Sequence, residues 1–273
     1  MTLSLAISPC PNDTFVFHAL VHGLVPGAPP MDVTYADVDV TNMSAAKGKY
    51  DLVKVSYAAL PWLLDKYELL PCGGALGRGC GPLVLVRDPE ATPDLAGRTV
   101  AVPGDRTTAY LLMRLWAADA QPARIKIVPF HQIMPGVAAG RYDAGLVIHE
   151  ARFTYHKHGL HSLVDLGEWW ERDTGLAIPL GAILARRGTV DADAAAEWVR
   201  ASVHAAWDDP EATQEYVLTH AQELEPAVAS QHIALYVNDF TANLGDEGYA
   251  AVEALLGRAA AAGLTPPLPA PLR

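Results

Sequence analysis

The sequence predicts an α/β fold with two lobes, and three observations lead to this prediction. Short β-rich runs alternate with helical stretches through the first part of the chain. The same alternation begins again after Gly97, and the final third is rich in alanine and helical in pattern. The 273 residues exceed the usual length of about 100–200 residues for one domain, so two lobes also fit the length.

In the first part of the larger lobe, residues 1–97, each predicted strand is followed by a predicted helix. The pairs are LSLAIS with TFVFHALVHG, MDVTYADV with TNMSAAKGK, and DLVKVS with YAALPWLLDKY. A glycine-rich loop, GGALGRGCGP, then leads into PLVLVRD, an apolar run with the length of a strand. ATPDLAG has the composition of a turn or linker, so we place the boundary of the lobe at Gly97.

The smaller lobe is predicted to span residues 98–187. Its elements are the strand RTVAVP, the helix TAYLLMRLWAADA, the strand ARIKIVPF, the helix HQIMPGVAAGR and the strand YDAGLVIHE. LAIPLGAILARRG is predicted as a strand that returns to the first lobe, and residues 188–273 complete that lobe with helices. This is the architecture of a bilobal, periplasmic-binding-protein-like (type II) fold, in which a ligand would lie in the cleft between the lobes.

Charge and composition exclude several classes of protein. A formal net charge of −11 argues against a nucleic-acid partner, because binding a phosphate backbone requires a basic face. No apolar stretch approaches the ~20 residues that cross a membrane, and the amino-terminal residues lack the Lys or Arg of a secretory signal. We therefore expect a cytoplasmic protein. The three cysteines, Cys10, Cys72 and Cys80, fit neither a disulfide framework nor a zinc knuckle.

Two loops that follow predicted strands of the first lobe carry small polar side chains. Asn12 lies in SPCPNDT, where two prolines stiffen the turn before a helix. Lys54, Val55 and Ser56 end the strand DLVKVS, where the serine hydroxyl and the next amides could hold a carboxylate or ketone oxygen. An ordinary helix cap is the alternative at both loops. Ser56 lacks the G-x-S-x-G pattern of a nucleophile, so we assign it to binding.

The second lobe supplies an anion-binding candidate and a candidate base. Thr107 and Thr108 open its first helix, where free amides and the helix dipole favour an anion, although many helices begin this way. In the predicted architecture they lie opposite the turn at Ser56. His149 ends the strand AGLVI, and histidine is the side chain best suited to proton transfer near neutral pH. Taken alone, a histidine at a strand end is more often a structural residue, so its role depends on context.

The residues indicate no metal and no cofactor. Three histidines cluster in TYHKHGLHS, which has the pattern of a solvated loop or helix and matches no zinc motif: His156, His158 and His161. The segment GRGCGP lacks the spacing of a dinucleotide or P-loop motif.

Six segments follow one another along most of residues 1–185: SPCPNDTFVFHAL, DLVKVSYAALP, GRGCGPLVLV, PGDRTTAYLLMRL, GLVIHEARFTY and DLGEWWERDTGLAIPLG. In their order and spacing they resemble the 1,4-dihydroxy-6-naphthoate synthase family. The resemblance implies a lyase of the futalosine route to menaquinone that acts on a small-molecule carboxylate without a cofactor. The implied reaction converts cyclic dehypoxanthinyl futalosine into 1,4-dihydroxy-6-naphthoate and releases the sugar-derived fragment as a three-carbon compound.

The resemblance also implies roles for individual residues. His149 matches the proton-accepting histidine of the family, Lys54 to Ser56 match one substrate-binding segment, and Thr107 with Thr108 match another. Ala151 stands where the family more often has glycine, a departure that affects only local loop geometry.

Other functions remain open on this fold. A solute-binding receptor would have the same two lobes, although the lack of a secretory signal argues against it. Chorismate dehydratase, a sister enzyme of the same pathway, would use the carboxylate sites of the cleft for a different elimination. The segment around His149 and the double threonine favour the synthase. A ligand-sensing regulator would add a DNA-binding module, and the sequence has no helix-turn-helix with basic flanks.

Overall fold

The computed structural model describes residues 1–221 and 225–272. The chain divides into two compact units. Unit 1 comprises Met1–Gly77 and Pro179–Arg273, and unit 2 comprises Arg78–Ile178. Each unit contains its own mixed sheet with helices, which confirms the α/β prediction.

The described residues form eleven strands and eleven α-helices. The strands are β1 Leu3–Ile7, β2 Met31–Tyr35, β3 Leu52–Ser56, β4 Tyr67–Leu69, β5 Ala75–Gly77, β6 Leu83–Val86, β7 Thr99–Val102, β8 Arg124–Ile127, β9 Ala144–Val147, β10 His161–Asp165 and β11 Ile178–Arg186. The helices are α1 Pro11–Val21, α2 Val38–Ala46, α3 Thr108–Ala117, α4 Ile133–Ala138, α5 Ala151–Thr154, α6 Leu166–Thr174, α7 Ala192–Asp208, α8 Gln214–His220, α9 Pro226–Tyr236, α10 Asp239–Ala242 and α11 Gly245–Ala261. None of these described helices is long and apolar enough to span a bilayer.

The sheet of unit 1 has the strand order β2-β1-β3-β11-β4, and β5 pairs with β11. β1 is parallel to β2 and to β3, whereas β11 is antiparallel to β3 and β4. Because β1 and β3 are parallel, the loops that follow them leave the same edge of the sheet. The segments that contain Asn12 and Ser56 therefore begin at one edge of unit 1.

The core of unit 1 forms where the sheet packs against helices from both ends of the chain. Leu5 of β1 and Leu52 of β3 belong to the same buried cluster as Phe17 of α1 and Val199 and Val203 of α7. β3 is buried along its whole length, as expected for a central strand that is covered on both faces.

The sheet of unit 2 has the order β10-β6-β9-β7-β8. β7 is parallel to β8 and β9, and β6 is antiparallel to β9 and β10. The segment with Thr107 and Thr108 follows β7, and His149 follows β9. Because β7 and β9 are parallel, these residues leave the sheet of unit 2 at the same edge.

The junctions between the units differ from the boundaries expected at Gly97 and after residue 187. β6 pairs with β9 and β10, so PLVLVRD belongs to unit 2, and Gly97 lies inside that unit. β11 pairs with β3 and β4, so the returning strand is already part of unit 1. The chain passes from unit 1 to unit 2 after Gly77 and returns after Ile178.

Candidate active site

The loop after β1 is defined as residues 8–13, and it includes the first turn of α1. It contains one buried carboxylate, that of Asp13, which is 1% exposed. Ser8 donates to Oδ2 of Asp13 from its backbone N–H at 3.1 Å and from its hydroxyl at 2.7 Å. Nδ2 of Asn12 donates to Oδ1 at 2.9 Å, and Nζ of Lys54 donates to the same oxygen. Each carboxylate oxygen thus accepts two hydrogen bonds, which offsets the cost of burying the charge.

Lys54 reaches this carboxylate from the middle of β3. Lys54 is 5% exposed, and its ammonium pairs with the carboxylate of Asp13. The side chain passes over Gly181 of β11, where an added Cβ would lie 2.6 Å from Cε of Lys54. A larger residue at position 181 would therefore force the lysine side chain to shift. Lys54 fixes the loop after β1 to the sheet.

Ser56 ends β3 and is held by Asn42 of α2. The backbone N–H of Ser56 donates to Oδ1 of Asn42 at 2.8 Å, and Nδ2 of Asn42 donates to the serine hydroxyl oxygen at 3.2 Å. Because that oxygen already accepts from Asn42, its proton is directed elsewhere and can be donated to an oxygen of a ligand. Val55 is completely buried, and its backbone pairs with Ala182 of β11.

Thr107 is the N-cap of α3. Its hydroxyl accepts from the backbone N–H of Tyr110 at 3.2 Å and donates to the carbonyl of Gly104 at 3.0 Å. The hydroxyl of Thr107 therefore acts as an ordinary helix cap, which is the alternative that the sequence left open. Thr108 is the first residue of α3 and is 2% exposed. The amides of the first turn remain an anion-binding feature of this helix.

His149 has a left-handed backbone conformation, with φ of +58°. Such values are uncommon outside glycine and are strained, although histidine adopts them more often than most residues. The residue lies two positions after the end of β9, and its carbonyl accepts from the N–H of Arg152 in α5 at 3.2 Å. Its ring packs edge-on against Phe130, with centroids 5.7 Å apart and planes at 77°.

The structure thus gathers the predicted residues into two groups. In unit 1, Asn12 and Lys54 share one hydrogen-bond network through Asp13, and Ser56 lies at the end of the same strand as Lys54. In unit 2, the other three candidates follow the parallel strands β7 and β9. These are Thr107, Thr108 and His149.

Three partners of the predicted residues were not selected from the sequence. Asp13 stands in a loop rich in capping residues, and its type alone did not distinguish it. Asn42 is 2% exposed within α2, and a polar residue on the buried side of a helix is the signal that points to it. His232 of α9 lies 2.9 Å from Oδ1 of Asn12, and nothing in its local sequence indicates this contact.

The histidine cluster of unit 2 lies on the surface. His156 and His158 belong to a 3-10 turn, Tyr155–His158, and His161 opens β10; all three are exposed. The three cysteines are buried free thiols.

Comparison with known proteins shows the family. Residues 3–261 match the family model described as menaquinone biosynthesis. A 1,4-dihydroxy-6-naphthoate synthase of Streptomyces coelicolor is 65% identical over 272 residues, which cover 98% of this chain and 96% of that protein. A protein of the same name from Thermus thermophilus is 48% identical over 272 residues, covering 99% of this chain and 98% of that protein.

The chain belongs to the 1,4-dihydroxy-6-naphthoate synthase family. The resemblance identified in the six segments is confirmed, and the chain is an enzyme of menaquinone biosynthesis.

Solved structures support the fold. A protein of Archaeoglobus fulgidus has a TM-score of 0.90 at 32% identity, covering 96% of this chain and 98% of that one. A Candida albicans protein, described as having the generic periplasmic binding protein fold, has a TM-score of 0.71 at 11% identity, covering 96% of this chain and 90% of that one. The predicted periplasmic-binding-protein-like fold is confirmed.

Proposed function

We propose that this chain is a carbon–carbon lyase that converts cyclic dehypoxanthinyl futalosine into 1,4-dihydroxy-6-naphthoate, with His149 as the general base. Membership of the synthase family supports the reaction. The observation that most supports the base is the left-handed backbone of His149, two residues beyond β9. Strained residues of this kind cluster at functional sites. An imidazole also changes charge in the pH range in which a general base works.

The residues suit the chemistry of the proposed step. His149 accepts the proton of a hydroxyl on the departing fragment, and that oxygen forms a new carbonyl as the carbon–carbon bond breaks. The electron pair of the broken bond passes to the carbonyl on the ring side, which becomes an enolate. The three-carbon fragment leaves, and the ring that remains becomes aromatic. Hydrogen-bond donors that face the developing negative charge lower the barrier to such a step.

We propose six substrate-binding residues: Asn12, Lys54, Val55, Ser56, Thr107 and Thr108. Ser56 supplies a hydroxyl proton, because its oxygen already accepts from Asn42. The segment at Thr107 and Thr108 supplies the amides of the first turn of α3. Lys54 and Val55 contribute by holding Ser56 and the loop after β1 in place.

The test is a direct assay of the purified protein. Cyclic dehypoxanthinyl futalosine is added in buffer containing EDTA, without nucleotide, and naphthoate is followed by absorbance and mass spectrometry. Naphthoate formation would support the proposal. Binding and thermal stabilisation without product would favour a receptor, and consumption of chorismate in a parallel assay would favour the dehydratase.

A further inference from the structure

A buried histidine of the carboxy-terminal helices contacts the loop after β1. His232 of α9 is 0% exposed, and its Nε2 lies 2.9 Å from Oδ1 of Asn12. Its ring packs against that of Tyr236, one turn further along the helix, with centroids 4.4 Å apart. His232 therefore links α9 to a loop that lies 220 positions earlier in the chain.

The hydrogen bonds of Asn12 determine which nitrogen of His232 carries a proton at this contact. Nδ2 of Asn12 donates to Oδ1 of Asp13 at 2.9 Å, so its amide oxygen faces His232. An amide oxygen can only accept, hence Nε2 of His232 is the donor. Turning the amide round would set its oxygen against the carboxylate of Asp13, which is electrostatically unfavourable.

The contact continues from Asn12 to β3. The carboxylate of Asp13 accepts one hydrogen bond from Asn12 and another from Lys54. All four residues of this chain of contacts are more than nine-tenths buried: Asn12 is 8% exposed, Asp13 1%, Lys54 5% and His232 0%. Hydrogen bonds that are shielded from water are strong and hold their members in one arrangement.

We propose that His232 is a positioning residue for the substrate. By donating to Asn12, it fixes the amide and, through Asp13, the position of the loop relative to Lys54. The inference rests on the proposed function, in which Asn12 contributes to substrate binding. Because His232 acts on a binding residue and not on the reacting atoms, its loss should raise KM and leave kcat nearly unchanged.

The experiment compares two substitutions at one position. His232→Leu removes the donor and replaces the imidazole with an apolar side chain of similar size, and KM should rise roughly five- to tenfold. His232→Gln retains an N–H donor at the end of a side chain of similar reach, so KM should stay close to that of the wild type. His204→Leu is the matched control, because His204 is an exposed histidine of α7 in the same unit.

A double variant tests whether His232 acts through Asn12. If it does, His232→Leu should have no further effect on KM in an Asn12→Ala background. Additive effects would overturn the proposal, as would a wild-type KM for His232→Leu. Equal rises in KM for His232→Leu and His232→Gln would show that His232 contributes only packing, and would also overturn the proposal.

A readout that does not need activity separates this proposal from the proposed function. NMR of protein labelled with ¹⁵N at histidine shows which ring nitrogen of His232 is protonated. Protonation at Nε2 is expected, and a bare Nε2 would overturn the inference whatever the protein catalyses. A wild-type protein that forms no naphthoate would instead refute the proposed function. In that case, the affinity for cyclic dehypoxanthinyl futalosine, measured by calorimetry, replaces KM in the comparison of the His232 variants.

Discussion

Replacing Gly181 with alanine should strain the buried ion pair between Lys54 and Asp13. The new Cβ would lie 2.6 Å from Cε of Lys54, well inside the optimal carbon–carbon separation of about 3.5–4.0 Å. The lysine side chain must therefore move. Its ammonium is paired with a carboxylate that is 1% exposed, so the movement strains a buried ion pair.

The expected loss of stability follows from this geometry. Overpacking a buried position costs about 1–3 kcal/mol, and we expect about 1–2 kcal/mol because the atom that must give way is near the end of a flexible side chain. At about 2–4 °C per kcal/mol for a chain of this size, the Tm of Gly181→Ala should fall by roughly 2–8 °C. Circular dichroism during heating measures the change.

The matched control is Gly257→Ala. Gly257 lies in α11 of the same unit, and an added Cβ there would meet no atom within 4 Å. Alanine is the better helix former, so stability should be unchanged or rise by up to about 1 kcal/mol. A Gly181→Ala protein with the wild-type Tm would refute the reasoning about Lys54.

Three further predictions concern the backbone, a cap and the thiols. His149→Ala should be less stable than His149→Asn by about 1 kcal/mol, because asparagine tolerates left-handed φ better; equal Tm values would show that the φ of +58° stores no strain. Thr107→Val removes the cap of α3 and should cost about 0.5–2 kcal/mol while raising KM, whereas Thr107→Ser should retain both properties; a valine variant with normal KM would remove Thr107 from the binding set. Burial raises the pKa of Cys72 and Cys80 from 9.0 to about 12. The unfolded chain loses these protons at lower pH than the folded chain does. The free energy of unfolding should therefore fall as the pH rises from 9.0 to about 12. Replacing both cysteines with alanine should reduce that fall, measured by urea unfolding at each pH, and an identical fall would contradict the assignment.

The fold was predictable where local pattern was strong and not where it depended on pairing. The strands β1, β2 and β3 match the predicted runs. YAALPWLLDKY forms a 3-10 helix at Tyr57–Trp62 and not an α-helix, since Pro61 lies inside it and lacks an N–H donor. β6 is a buried apolar run, and such a run fits the interior of any sheet. Its partner β9 lies in a distant segment of the chain. The sequence therefore could not assign β6 to unit 2, and the boundary expected at Gly97 was misplaced.

The candidate site was predictable only in part. Ser56, Thr107 and His149 could be selected because each ends or follows a strand and has chemistry suited to a site. Their supporting contacts come from other segments. Asn42 reaches Ser56 from α2, and His232 reaches the loop after β1 from α9. Spacing along one sequence carries no information on such contacts, because folding alone brings these segments together.

The most direct test of the central claim compares the wild-type protein with His149→Asn at saturating cyclic dehypoxanthinyl futalosine. Asparagine, like histidine, tolerates a left-handed backbone conformation, so the comparison isolates the loss of the base. We predict naphthoate formation roughly 10²–10⁴ times slower in the variant, with substrate affinity unchanged by calorimetry. A variant that forms naphthoate at the wild-type rate would show that His149 is not the general base and would contradict the account.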